Sequence, residues 1–334
     1  MIVAENAQMK IARSAHYNYD FHKGTGLHLR WGKTREDDPQ VAPAPEILDI
    51  EISTGCERCT HCYKAVPVSE GKQMSLGTFS VILDKFPKAL TQLALGLTSI
   101  DANPDLIPIM EYARSKGVVP NFTTSGHGLS GELLDETSNL AGAVAVSAYP
   151  HNRQLAYATI KAYQEHGVEQ TNMHLLYYQE NRPFVESVLR DVAAGTVEPN
   201  AVVLLALKQK GRGSNLTPVT QAQFEELATY ALDHNIPLGF DSCSAPRFEE
   251  WAVKNGKDDL LMYSDRCESG CFSAYCNVDG EFFPCSFAEG AEGWETGIPI
   301  LGCDSFDEVW NHDRVKAWRN RLLDNDRVCP IYKV

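Results

Sequence analysis

The feature that most constrains this 334-residue sequence is a regular alternation of short apolar segments with longer amphipathic segments between residues 48 and 241. The short segments are apolar throughout, which is typical of parallel strands that are buried on both faces. Six strand–helix units follow one another, and a seventh strand ends the series. This stretch is well short of the ~250 residues of a closed eight-unit barrel. The sequence therefore predicts an α/β fold, a partial, TIM-like (β/α)6 barrel that stays open.

The predicted elements divide the chain into three parts. Strands are expected at residues 48–53, 93–97, 118–123, 143–147, 170–176, 202–207 and 237–241. Helices are expected at residues 75–89, 105–116, 131–140, 154–166, 184–194 and 221–234. Residues 1–46 are polar and broken, and they predict an extension that wraps a barrel at 47–241. Residues 242–334 predict a smaller, cysteine-rich domain with one late helix at 306–323.

Composition excludes several classes of protein. The net charge of −14 argues against a generally basic protein that coats nucleic acid. No apolar run approaches the ~18 residues of a transmembrane helix, and the first 15 residues lack the apolar block of a signal peptide. We therefore expect a cytoplasmic protein that does not enter a membrane. In a reducing compartment its ten cysteines indicate metal or redox chemistry.

The sharpest local motif is a run of three cysteines that directly follows the first predicted strand. Cys56, Cys59 and Cys62 lie within seven residues. Thiolates at this spacing can bind three irons of a 4Fe–4S cube, as in bacterial ferredoxins. Where a ferredoxin has its fourth cysteine and a proline, this sequence has Val66 and Pro67. One iron would therefore stay open to a small molecule that offers an amine and a carboxylate. The alternatives are a zinc site and a plain electron-transfer cluster.

A cysteine triplet on the loop after the first strand of a six-unit barrel resembles the radical SAM superfamily, where SAM is S-adenosylmethionine. The family pattern is usually CxxxCxxC, whereas the first gap here is one residue shorter, and His61 takes the family's ring position. The resemblance implies an enzyme whose 4Fe–4S cluster is held by Cys56, Cys59 and Cys62. Such an enzyme reductively cleaves SAM to a 5′-deoxyadenosyl radical, which abstracts a hydrogen atom from a substrate C–H bond.

The resemblance also assigns cofactor-binding residues to the later strand ends. Ser99 or Asp101, with Gly96, would bind the SAM amino group, whereas an ordinary strand-to-helix loop is the alternative. Asn172 is preferred over His174 as a ribose ligand. Lys208 would bind a carboxylate or phosphate, unless its loop is merely solvated. The complete set assigned in this way is His61, Gly96, Ser99, Asp101, Thr124, Ser125, Ser147, Asn172 and Lys208.

A second cysteine pattern lies in the C-terminal part. Cys267 and Cys285 flank a hairpin signal at Asp279-Gly280, and the spacing C-x(9–15)-G-x4-C resembles the auxiliary-cluster segment of SPASM and twitch radical SAM enzymes. This implies one auxiliary 4Fe–4S cluster, with a structural zinc site as the alternative. The predicted ligands are Cys243, Cys267, Cys285 and Cys329. The remaining cysteines, which are Cys271, Cys276 and Cys303, are expected to be small buried apolar residues. Cys271 or Cys276 could still replace one of the predicted ligands.

The substrate stays open between several classes. Relatives with an auxiliary cluster act mostly on peptides or proteins, whereas others modify nucleosides, nucleobases or small molecules. Phage-type hypermodification of a DNA base or nucleotide by radical rearrangement is an alternative. A non-catalytic iron–sulfur electron carrier or a zinc-stabilised binding module is the alternative of another class. The resemblance implies a reducing partner such as flavodoxin or ferredoxin, and Tyr149 or Tyr177 is a candidate hydrogen relay.

Overall fold

The computed structural model describes residues 1–334 and begins with a four-stranded antiparallel sheet. Its strands are β1 (Ile2–Glu5), β2 (Met9–Arg13), β3 (Asn18–His22) and β4 (His28–Trp31). Tyr19 and Phe21 alternate with polar residues on β3 and pack with Ala89 and Phe272 in a small second core. The expectation that residues 1–46 lack regular structure is therefore wrong, because one face of this short sheet is apolar enough to dock on the rest of the molecule.

Seven parallel strands then lie side by side in chain order, as the alternation predicts. These strands are β5 (Ile47–Glu51), β6 (Gln92–Gly96), β7 (Val119–Thr124), β8 (Val144–Ser147), β9 (Thr171–Tyr177), β10 (Val202–Ala206) and β11 (Leu238–Phe240). The helices that connect them are α1 (Leu76–Lys85), α2 (Leu106–Ser115), α3 (Gly131–Leu140), α4 (Arg153–Glu165), α5 (Arg182–Ala193) and α6 (Gln221–Asp233). The predicted six-unit partial barrel is confirmed.

Local sequence sets the beginnings of several helices. Ser75, Ser130 and Thr220 each accept a hydrogen bond at 3.2 Å from the backbone N–H three residues further on. Such hydroxyl caps satisfy an N–H that has no partner inside the helix. None of the helices combines the length and apolar character that crossing a membrane requires.

The C-terminal part packs against the barrel through further elements. These are α7 (Ala245–Lys254), β12 (Ser273–Cys276), β13 (Glu281–Phe283), β14 (Ile298–Pro299), α8 (Phe306–Trp310) and α9 (Asp313–Asp324). The predicted hairpin joins β12 to β13, with Gly280 in the left-handed region at φ +81°. The predicted late helix is two helices, since His312 adopts an extended backbone between them and caps the second.

The hairpin also continues the barrel sheet. β12 pairs in parallel with β5, opposite the side where β6 pairs, so the larger sheet has ten strands. One hydrophobic core runs without a break from barrel residues such as Leu48 to C-terminal residues such as Phe282 and Trp310. Cys276 on β12 and the partly buried Cys285 are therefore packed in the same core as the first barrel strand.

Phe21→Ala tests whether the N-terminal sheet is docked on the core. Phe21 is fully buried, whereas Leu29 in the same sheet is 49% exposed. We expect Phe21→Ala to lower the free energy of unfolding by about 3–5 kcal/mol, because it removes a buried aromatic ring and leaves a cavity. Leu29→Ala, the matched control, should change it by less than about 1 kcal/mol. Urea denaturation measures both values, and equal effects would contradict the docking.

Candidate functional site

The three-cysteine loop lies over the carboxyl end of the barrel. Cys56, Cys59 and Cys62 are half-buried and border a cavity of about 550 Å³. Burial, followed by the neighbouring Cys62 and Cys56 thiols, raises the pKa of Cys59 to about 11. The loop after β5 thus brings its three sulfur atoms together at the mouth of one cavity.

The loop after β10 holds this cysteine loop in place. The Arg212 guanidinium donates hydrogen bonds to the carbonyl oxygens of Cys56 at 2.8 Å and Cys59 at 2.9 Å. The backbone N–H of Arg212 donates to the Cys62 carbonyl at 3.0 Å. Gly211 lies at φ +57°, and a Cβ there would collide with the carbonyl oxygens of Cys62 and Tyr63. The sequence predicts an anion site in the loop after β10. In the structure Arg212 of this loop binds the backbone of the cysteine loop.

The residues around the triplet fit a cluster better than a single metal ion. The His61 Nε2 atom is buried without a hydrogen-bond partner, and the His61 ring lies 4.6 Å from that of Tyr149 at the cavity wall. An unpartnered buried nitrogen of this kind calls for a ligand. No three Cys, His, Asp or Glu side chains are arranged to hold one ion, as tetrahedral zinc requires. In a cube each thiolate binds a different iron, so the sulfur atoms need not converge on one point.

Five of the strand-end residues assigned to SAM line the cavity with the triplet. They are Gly96, Thr124, Ser125, Ser147 and Lys208, and His61 joins them. Ser99 and Asp101 do not border the cavity, and the Ser99 hydroxyl instead donates to the Asp101 carboxylate at 2.7 Å. Thr98 borders the cavity at that strand end instead.

The position of a residue along β9 decides whether its side chain borders the cavity. Asn172 and His174 lie on the same face of β9, but only His174 borders the cavity. The cavity lies at the carboxyl end of the strand, and Asn172 is two residues further from that end than His174. Burial lowers the pKa of His174 to about 4, so its ring is neutral at pH 7. Of the two candidate relay residues, Tyr149 borders the cavity, whereas the Tyr177 hydroxyl donates to the Gln223 carbonyl away from it.

Lys208 is buried and already has partners. Its ammonium forms an ion pair with Asp241 and lies 4.8 Å from the centre of the Phe287 ring. Burial alone would lower the pKa of Lys208, but Asp241 and then Cys243 raise it above its usual value. Lys208 therefore connects the cavity wall to the C-terminal cysteines.

The four cysteines predicted for the auxiliary site lie near one another. Burial and then the Cys267 thiol raise the pKa of Cys285 to about 12, and Cys329 contributes as well. Burial also raises the pKa of Cys243, where Cys267 and Cys329 are again among the neighbours. Cys271 lies near Cys267 too and stays an alternative ligand.

The other two cysteines lie apart from this group. Burial raises the pKa of Cys276, with only carboxylates as charged neighbours. Cys303 donates a hydrogen bond to the Pro299 carbonyl at 3.3 Å, and no other thiol is among its neighbours.

A group of charged residues at the cavity was missed by the sequence reasoning. The Lys64 ammonium donates to the Tyr275 hydroxyl at 2.8 Å and lies 3.1 Å from a Glu51 oxygen, and it also pairs with Glu289. Asp49 borders the same cavity. The available signal was the pair of acids at alternate positions of an otherwise apolar first strand, Asp49 and Glu51.

Comparison with known proteins places this fold in a class. Neither a protein-family model nor a curated protein matches the sequence. Solved structures do match: SuiB from Streptococcus suis bound to the precursor peptide SuiA has a TM-score of 0.72 at 10% identity, over 95% of this chain and 90% of that one. anSMEcpe with bound AdoMet and the Cp18Cys peptide has a TM-score of 0.60 at 14% identity, over 82% of each chain. The chain therefore has the fold of radical SAM enzymes with a C-terminal extension.

SuiB has also been solved with the cofactor that the sequence resemblance implies for this chain. The complex of SuiB with S-adenosylmethionine has a TM-score of 0.65 at 12% identity, over 84% of this chain and 69% of that one. The resemblance inferred from the cysteine motifs is thus confirmed at the level of fold.

Gly211→Ala tests whether the close approach of the two loops is required. Gly256 is the matched control, because its φ of +63° is similar and a Cβ there would meet nothing within 4 Å. Gly256→Ala should cost about 1 kcal/mol of stability, the price of a left-handed alanine. Gly211→Ala should cost at least twice as much and expose the cysteine loop to proteolysis, since the carbonyls of Cys62 and Tyr63 must move. Equal losses in thermal unfolding and limited proteolysis would contradict this.

Proposed function

We propose that this chain is a radical SAM enzyme that modifies a peptide or protein. The observation that carries the proposal is the triplet Cys56, Cys59 and Cys62 at the mouth of a barrel cavity, on a loop without a fourth cysteine. Val66, where a ferredoxin has its fourth ligand, borders the cavity with an apolar side chain. An iron at that corner would be free to bind the amine and carboxylate of SAM.

The cavity wall supports a SAM site beside the cluster. When bound, the reduced cluster and SAM supply a 5′-deoxyadenosyl radical that abstracts a hydrogen atom from the substrate. His61, packed against Tyr149, would contact the adenine, and Ser147 would bind the ribose. Thr124 and Ser125 line the same side. These residues would orient the cofactor and exclude water from the reacting atoms.

A peptide or protein substrate is favoured over a nucleoside by the fold comparisons. Both SuiB and anSMEcpe have been solved with a bound peptide. Residues after Cys285 form part of the cavity wall, namely Ser286 and Phe287. A substrate in the cavity would therefore lie between the SAM site and the auxiliary cysteines.

We assign a second 4Fe–4S cluster to the C-terminal cysteines. Support comes from the proximity of four cysteines, of which Cys267 is buried and the others are half-buried: Cys243, Cys267, Cys285 and Cys329. Four thiolates would close every iron of this cube, so it would serve the substrate side or electron transfer rather than SAM. A flavodoxin or ferredoxin would supply the reducing electron.

Replacing Cys56, Cys59 and Cys62 together with Ala tests the SAM cluster. Anaerobically reconstituted wild-type protein should bind about eight irons, four for each cube, and release 5′-deoxyadenosine from SAM after reduction with dithionite. The triple variant should keep about four irons and release none. Iron analysis and chromatography of the nucleoside measure both. Stoichiometric zinc without nucleoside release in the wild type, or full activity in the variant, would refute the function.

Cys285→Ala tests the auxiliary cluster separately. The variant should keep about four irons and still release 5′-deoxyadenosine, because the triplet is intact. Cys303→Ala is the matched control and should keep about eight irons, since Cys303 lies away from the other thiols. The auxiliary assignment fails if Cys285→Ala retains full iron or if both variants lose iron equally.

A further inference from the structure

Asp49 is a carboxylate inside the barrel that the proposed chemistry does not use. Its neighbours on β5, Leu48 and Ile50, are buried in the hydrophobic core. The alternation of a strand therefore turns Asp49 to the opposite side, where it borders the cavity. The residue is half-buried in the cavity wall, and burial raises its pKa to about 6. At pH 7 it is still mostly ionised.

The other carboxylates of the cavity have partners, but Asp49 has none. Glu51 is paired with Lys64, and Asp241 is paired with Lys208. No hydrogen-bond donor and no cation of the protein contacts the Asp49 carboxylate among the hydrogen bonds and ion pairs of the chain. A half-buried carboxylate without a partner loses hydration that no contact with the protein replaces. Such a group is expected where a ligand supplies the missing charge.

The surroundings of Asp49 leave room for that ligand. Ala94 stands beside Asp49 on β6 and also borders the cavity with only a methyl group. Tyr275 stands beside it on β12, but its hydroxyl already accepts from Lys64. The space in front of Asp49 is therefore open.

We propose that Asp49 binds the positively charged side chain, ammonium or guanidinium, of a lysine or arginine in the peptide substrate. This inference rests on the proposed function and adds a specificity-determining residue to it. Asp49 lies seven positions before Cys56 and below the strand-end residues assigned to SAM. A basic side chain would reach it by entering the cavity past Ser286 and Phe287. A carboxylate–cation pair there would fix the depth and orientation of the substrate.

The test compares wild-type protein, Asp49→Asn and the control Asp233→Asn, all anaerobically reconstituted. Asp233 is exposed on α6 and belongs to no ion pair. The probes are the N-acetyl-N′-methylamides of lysine, arginine and norleucine, the last being the uncharged counterpart of lysine. Calorimetry in the presence of SAM gives the affinities. Wild type and Asp233→Asn should bind a charged probe about tenfold or more tightly than norleucine.

Asp49→Asn should abolish that preference while its affinity for SAM stays unchanged. It should also raise the midpoint of thermal unfolding without ligand, because it removes a half-buried charge that has no partner in the protein. If Asp49→Asn does not fold, Asp49→Ser gives the same comparison. The arginine and lysine probes distinguish the two possible side chains.

Three results would overturn the proposal. The first is a wild type that releases 5′-deoxyadenosine yet binds charged and uncharged probes alike, which leaves the proposed function intact. The second is a loss of SAM affinity in Asp49→Asn, which would assign Asp49 to the cofactor. The third is a wild type that releases no 5′-deoxyadenosine, which would remove the proposed function itself.

Discussion

The site depends on one contact between two loops that are far apart in sequence. Arg212 satisfies the carbonyl oxygens of all three cysteines, two with its side chain and one with its backbone N–H. These loops follow β5 and β10, which are five strand positions apart in the sheet. In a flat sheet that separation is roughly 24 Å. The contact therefore exists only because the sheet curves into a partial barrel, and the curvature is what builds the cysteine loop into a site.

Ion pairs around the cavity also connect elements that are far apart in the sequence. Lys64 joins Glu51 on β5 to Glu289 in the C-terminal part, and Lys208 joins β10 to Asp241 beyond β11. Buried ion pairs of this kind contribute little net stability, because desolvation offsets much of their attraction. Their effect is to fix which elements meet around the cavity. Asp49 differs from Glu51 and Asp241, the other carboxylates of the cavity, because it has no such partner.

Local signals made the barrel and the cysteine motifs predictable. Strand and helix periods, hydroxyl caps and the spacing of Cys56, Cys59 and Cys62 are properties of short segments. The N-terminal sheet was missed because its strands carry charged residues, among them Lys10, which is fully buried and donates to the Leu90 carbonyl at 2.7 Å. α7 was missed although Pro246 in its first turn is a recognised helix start.

Long-range features lay beyond the reach of the sequence. The role of Arg212 depends on curvature that no local pattern encodes. The different access of Asn172 and His174 to the cavity depends on strand depth, since both lie on the same face. The cavity is also bordered by two cysteine-containing segments. The triplet lines it directly, and Ser286 and Phe287, which follow Cys285, line it from the C-terminal part. Tyr63, next to Cys62, lies 4.4 Å from the ring of Phe287, two residues after Cys285. This aromatic contact joins the two cysteine segments, so a shift of either one must move a wall of the same cavity.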